Sequence, residues 1–148
     1  MKIKTVLWGL ATAALLVSCS GAKLSVANEQ YARGEFYDAA QTYRKVYSKT
    51  NPRKERKLRG EIAFKMAECS RRINMAPRSS AAYQNAIRYD YPDSMALFYL
   101  ARSQQYEGKY KEAIKNYQAY LETNPQSSLA KNGIRGCNLA QQWKKTPT

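Results

Sequence analysis

The 148-residue chain contains no histidine. The side chain that most often serves as a general base near neutral pH, and most often ligates transition metals, is therefore absent throughout. Without it a Cys/His nucleophile pair cannot be assembled, and no G-x-x-x-x-G-K stretch is present to cradle a phosphate. Acidic residues are scarce, 11 against 25 lysines and arginines, for a formal net charge of +14. The acidic pairs Asp90 with Asp93 and Glu107 with Glu112 fall at predicted helix ends and turns, where capping and solvation account for them better than paired-carboxylate chemistry. No enzymatic activity, metal or cofactor is expected. Cysteines number only three, too few for a disulfide framework. The N-terminal apolar run, Val6 to Val17, is twelve residues long, short of the roughly 20 needed to span a bilayer core as helix.

That short run has a context. Lys2 and Lys4 precede it in the layout of a signal peptide, and Leu16-Val17-Ser18 leads directly into Cys19 rather than into Ala-x-Ala. These four residues resemble the lipobox of bacterial lipoproteins. The resemblance implies removal of residues 1–18, attachment of a diacylglycerol to the Cys19 thiol, and acylation of the new amine with a chain such as palmitate. Residues 19–23 are then a lipidated tether. Loss of Lys2 and Lys4 leaves 23 basic groups against 11 acidic ones, a formal +12. The roughly 125 residues that follow suffice for one domain with a core. On an exported chain such a surface favours anionic headgroups, acidic partner surfaces or cell-wall polymer over nucleic acid.

One signature recurs three times. Its clearest copy runs from Leu97 to Pro125: Gly108 in a turn, then Tyr110, Ala113, Tyr117 and Pro125, with Leu97, Leu100, Ala101 and Gln104 ahead of it at helical spacing. The first copy has Gly34, Phe36, Ala39 and Tyr43, with Pro52 one place late. A degenerate middle copy has Met66, Ala67, Tyr83, Ala86 and Pro92, with Asn74 where the turn glycine belongs, Ser79 at the alanine position and Pro77 nearby. Tyr83 to Tyr117 is 34 residues, and Tyr43 to Tyr83 is six longer. The pattern resembles the tetratricopeptide repeat. It implies an all-α solenoid of helical hairpins, with repeats at about 23–52, 60–92 and 94–125, a capping helix over 127–143 starting at Ser127 or Ser128, and a tail over 144–148. Small residues such as Ala101 and Ala113 belong where two helices cross. Gly133 and Gly136 are expected to weaken the cap by about 1 kcal/mol each. Cys69 and Cys137 lie 68 residues apart, two periods, so they occupy equivalent positions on non-adjacent hairpins, too far apart to pair. Both are expected to be free thiols.

In this repeat family the first helix of each hairpin lines a concave groove that holds a segment of a partner protein. Mapped by position, the groove contains Asn28 and Tyr31, then Phe64, Glu68, Arg71 and Arg72, then Phe98, Arg102, Gln105 and Tyr106. Aromatics between arginines are the residue types that dominate interface energies, and the arginines favour a partner with carboxylates. Phe64 and Phe98 have a second reading as core aromatics between helices. Asn28 and Arg102 resemble parts of a two-carboxylate clamp, but the companion lysines do not line up, and that ligand is not implied. The six extra residues bring the basic run RKERKLR, Arg53 to Arg59, read here as a solvated charged face.

The stretches CSGAKLSVANEQYARGEFYDAAQTYRKVY, YPDSMALFYLARSQQYEGKYKEAIKNY and GIRGCNLAQQWKKTPT are together similar to the N-terminal region of OmpA-family outer-membrane lipoproteins associated with type IX secretion. In those proteins a propeller-like segment and a peptidoglycan-binding OmpA-like domain follow, and the sequence stops at Thr148 where they would begin. Peptidoglycan binding is therefore not expected of this chain. The resemblance implies a lipid-anchored protein on the periplasmic face of the outer membrane, docking a protein component of an envelope assembly. The alternative is a structural spacer, or a truncated relative of a peptidoglycan-tethering lipoprotein.

Overall fold

The computed structural model describes residues 18–143, without the side chains of Ser18, Cys19, Ser20 and Ala22. Residues 1–17 of the expected signal peptide, the lipid-bearing Cys19 side chain and the 144–148 tail lie outside these described residues. Seven helices and no strands make up the described residues: α1 Ser18–Ala32, α2 Phe36–Tyr47, α3 Arg56–Arg72, α4 Ala76–Arg88, α5 Met95–Tyr106, α6 Tyr110–Thr123 and α7 Ser128–Trp143. Each helix packs against the next, and α7 also reaches α5. The expected all-α hairpin solenoid is the observed architecture. Two boundaries differ. The backbone of residues 19–23, expected as a tether, is continuous with α1, and α3 begins at Arg56 rather than near residue 60.

The three hairpin turns share one chemistry. Gly34, Asn74 and Gly108 hold φ of +79°, +57° and +75°, the left-handed backbone that glycine adopts freely and asparagine tolerates. The residue after each donates its N–H to a carbonyl five positions back, Glu35 to Gln30, Met75 to Ser70 and Lys109 to Gln104, all at 2.9 Å. These bonds close the ends of α1, α3 and α5. Pro77 sits in the first turn of α4, where its missing N–H costs nothing.

The small residues lie at the crossings. Ala27, Ala39, Ala67, Ser79, Ala101 and Ala113 are all buried, so the two helices of each hairpin approach closely. Beside each crossing stands one enclosed tyrosine, Tyr43, Tyr83 or Tyr117. Each ring contributes roughly 2–3 kcal/mol of burial.

The basic run at the first junction is more than a solvated face. Asn51 Oδ1 accepts the N–H groups of Arg53 and Lys54 at 2.9 and 3.0 Å, which turns the chain into α3. Arg59 Nη1 donates to the carbonyls of Tyr47 (2.9 Å) and Thr50 (2.7 Å), and its guanidinium lies 3.9 Å from the Tyr47 ring centroid. Arg56 pairs with Asp90 at 2.7 Å and donates to the Arg88 carbonyl at 2.6 Å. The two arginines thus tie the start of α3 to the ends of α2 and α4, while Arg53, Lys54 and Lys57 stay exposed. Arg59→Ala is expected to cost about 1–2 kcal/mol, read from the urea unfolding midpoint. Arg59→Lys should recover less than half of it, because an ammonium cannot both fork and stack.

α7 is capped by Ser127, whose Oγ accepts the Ala130 N–H at 3.3 Å. It seats Ala130 and Cys137 against the preceding hairpin. Cys69 and Cys137 are buried and unpaired, as their spacing implies. Burial pushes the Cys69 thiol up to about 11 and raises that of Cys137, leaving both inert as nucleophiles near neutral pH.

Candidate concave binding groove

The groove is governed by where the three buried tyrosines send their hydroxyls. A buried phenol needs a partner. Tyr43 donates to Asn28 Oδ1 at 2.7 Å, and Tyr83 donates to Glu68 Oε1, in both cases 15 residues back. The corresponding residue for Tyr117 is Arg102, which has no acceptor atom. Tyr117 instead donates to Gln105 Oε1 at 2.9 Å. Asn28, Glu68 and Gln105, all expected to face a partner, are therefore acceptors for the core, and Arg102 is released from that duty.

Glu68 is the most constrained of them. Its side chain is only 8% exposed, and Arg71 grips it through Nε at 3.0 Å and Nη2 at 2.8 Å. Arg72 adds a second cation at 3.8 Å. Burial alone would raise the Glu68 pKa, but the hydrogen bonds from Arg71 and Tyr83 and the two positive charges outweigh it and hold the carboxyl below its ordinary value. The same contact raises the Arg71 pKa, and burial together with the Glu68 carboxylate raises that of Tyr83. Glu68 is thus a keystone of the fold and is not available to a ligand.

Phe98 is also a correction. It is buried in the core, edge-on to Tyr117 at 5.7 Å and tilted against Tyr120 at 5.3 Å. Phe64 is half-buried, stacked on Tyr91 at 4.3 Å. Tyr31 lies under Lys65 at 4.3 Å and within 5.8 Å of Arg72, whose guanidinium sits 4.9 Å from Phe36. These cations knit α1 to α3 and leave Arg72 partly exposed.

What remains forms one cleft. Arg71, Asn74, Ala76, Ser79, Arg102, Ser103 and Tyr106 enclose about 460 Å³ between the end of α3, the start of α4 and α5. Arg71 is a fixed wall, held by Glu68 and lying 4.3 Å from the Tyr99 ring. Arg102 and the 70%-exposed Tyr106 form the opposite lip, joined to each other by two long, exposed contacts from the guanidinium to the Tyr106 hydroxyl, at 3.4 and 3.3 Å. Three arginine charges against one carboxylate leave this end of the groove positive. Of the residues expected in the groove, Arg71, Arg102 and Tyr106 line this cleft; Asn74, Ala76, Ser79 and Ser103 were not expected there, because a turn residue, a helix-start alanine and two core serines carry no sequence signal for it. Among the described residues, no group of three or more His, Cys, Asp or Glu side chains could hold a metal ion.

Comparison with known proteins places this geometry. Residues 95–127 match the model of the tetratricopeptide repeat, the copy in which the pattern is clearest. No curated protein matches the chain in sequence. Among solved structures, the C-terminal TPR-containing domain of a putative FK506-binding protein from Plasmodium falciparum is similar at 18% identity and a TM-score of 0.68, covering 88% of this chain and 93% of that one. The first TPR of Spaghetti (RPAP3) bound to the HSP90 peptide SRMEEVD is similar at 17% identity and a TM-score of 0.66, over 83% and 93%. The Yersinia enterocolitica type III secretion chaperone SycD, in complex with a peptide of the translocator YopD, is similar at 14% identity and 0.61, over 84% and 94%. The fold is that of a tetratricopeptide hairpin solenoid.

Proposed function

We propose that this chain is a non-catalytic adaptor that docks a carboxylate-bearing segment of a protein partner in the cleft between Arg71 and Arg102. The observation that carries the reading is the freedom of Arg102. The rerouted Tyr117 hydroxyl leaves a guanidinium at the lip of a cavity that already has one rigid arginine wall, and paired guanidinium groups suit carboxylates. Peptide-bound structures of the same fold, one with the acidic peptide SRMEEVD, support it. A photo-crosslinking residue at position 106 is expected to capture a protein partner in intact cells, and Arg102→Glu to abolish the adduct. An adduct pattern unchanged by charge reversal would sink the docking reading and favour a structural spacer.

The adaptor works at the periplasmic face of the outer membrane, held by lipid on Cys19, in an envelope assembly of the type IX secretion kind. The support lies in the sequence alone, in Lys2, Lys4, the apolar run and Leu16-Val17-Ser18-Cys19, and in the stretches read above as resembling OmpA-family lipoproteins. A single acyl chain binds membranes only marginally, whereas two or more anchor stably. Cys19→Ala is expected to move the protein from the membrane to the soluble fraction, and its persistence in membranes would overturn the anchor.

A further inference from the structure

Three of the exposed large apolar side chains lie on α7: Leu129 at 67% exposure, Leu139 at 48% and Trp143 at 78%. Their helical phases fall within one third of a turn, with Gly136 and Ala140 in the same sector. The 34-residue period identifies that sector. Ala96 and Ala130 are buried equivalents, as are Cys69, Ser103 and Cys137, so the register of α5 carries over to α7. In that register Met95, Arg102, Gln105 and Tyr106 correspond to Leu129, Gly136, Leu139 and Ala140. The exposed stripe of α7 therefore continues the groove-lining face of α5. Contact across the seam agrees, since a Cβ on Gly136 would lie 3.2 Å from the Gln105 Nε2.

Resting on the docking reading above, we infer that the groove extends onto α7 and is bipartite, so that its ligand is a segment of a partner protein carrying both a carboxylate and a bulky apolar side chain. The carboxylate sits between Arg71 and Arg102. The apolar side chain lies over Gly136, against Leu139 and Trp143, one helix spacing of about 10 Å further along, which an extended segment covers in about three residues. Gly136 supplies the floor, because the residue that is a long arginine on α5 has no side chain on α7. Charge selects the occupant. α7 has Lys131 and Arg135 and no acidic residue, and the whole chain is +14, so a second copy would meet like charge, while an acidic amphipathic segment is complementary.

The probe is a phage-displayed library of random twelve-residue peptides selected against the immobilised full chain. The expected consensus pairs Asp or Glu with a large aliphatic or aromatic residue. A synthetic peptide of that consensus should lose at least tenfold in affinity both to Arg102→Ala and to the double variant Leu139→Ser/Trp143→Ser, with circular dichroism confirming that each variant is folded. An acidic consensus without an apolar partner, or an affinity indifferent to the α7 variant, overturns the bipartite groove and leaves acidic docking standing. A consensus without acid, or no enrichment, overturns both. Loss of sedimentation with phosphatidylglycerol vesicles in the α7 variant, with peptide affinity unchanged, would assign the stripe to a lipid surface and overturn the inference.

Discussion

Glu68→Ala is expected to lower the free energy of unfolding by about 3 kcal/mol at pH 7. The substitution strips the buried Tyr83 hydroxyl of its acceptor, leaves Arg71 without the carboxylate that holds it bidentately, and opens space beside an enclosed ring. Glu68→Gln keeps an acceptor for Tyr83 and should lose about half as much. The pH dependence follows from the direction of the Glu68 shift. Its folded pKa lies below the ordinary value of 4.5, so the unfolded chain binds the proton more readily. The stabilisation is therefore fully present above the unfolded value and fades as pH falls through the lower folded one. Urea unfolding of wild type and Glu68→Gln should differ most above pH 5 and converge towards pH 3. A difference that is constant across that range would show that the carboxylate charge has no part in it.

Glu68 also marks where reading the sequence succeeds and where it stops. The period, the left-handed turns at Gly34, Asn74 and Gly108, the small crossing residues and the buried tyrosines were all legible, because each is fixed by local geometry that only a few residue types satisfy. Position along the repeat also placed Arg71, Arg102 and Tyr106 on one face. It did not reveal which groove residues the core would claim. That depends on hydrogen bonds across 12 or 15 residues from Tyr43, Tyr83 and Tyr117, and a tyrosine pattern shows where a ring is buried without showing where its hydroxyl points. Arg59 illustrates the same limit. Within a run of five basic residues, only the fold distinguishes the guanidinium that binds the Tyr47 and Thr50 carbonyls from the side chains left in water. The apolar positions of α7, Leu129, Ile134 and Leu139, are legible as those of a capping helix that covers a hairpin; only Ile134 packs against the core, while Leu129 and Leu139 stay exposed, in the register that aligns Leu139 with Gln105.

The glycines of α7 reverse an expectation and yield the sharpest contrast between two variants. In an exposed helix, Gly→Ala gains about 1 kcal/mol. At Gly133 the added Cβ would stand 2.5 Å from Tyr117 Cζ, 2.6 Å from Cε2 and 2.9 Å from the hydroxyl. That ring has nowhere to go, being buried against Phe98 and hydrogen-bonded to Gln105. Overpacking of this kind costs about 1–3 kcal/mol, and displacing the ring also strains the Tyr117 hydrogen bond to Gln105, so Gly133→Ala is expected to lose about 2 kcal/mol net and several degrees in Tm. At Gly136 the Cβ meets only the terminal amide nitrogen of Gln105 at 3.2 Å, which can give by a few tenths of an ångström, and the variant should stay within about 0.5 kcal/mol of wild type. Equal stability of the two would mean that α7 is not seated on Tyr117 through Gly133. The predicted inequality makes Gly133 the contact on which the cap is built, rather than a weakness in it. Because α7 is oriented by that contact, the loss at Gly133 should be accompanied by weaker binding of any ligand that reaches Leu139 and Trp143.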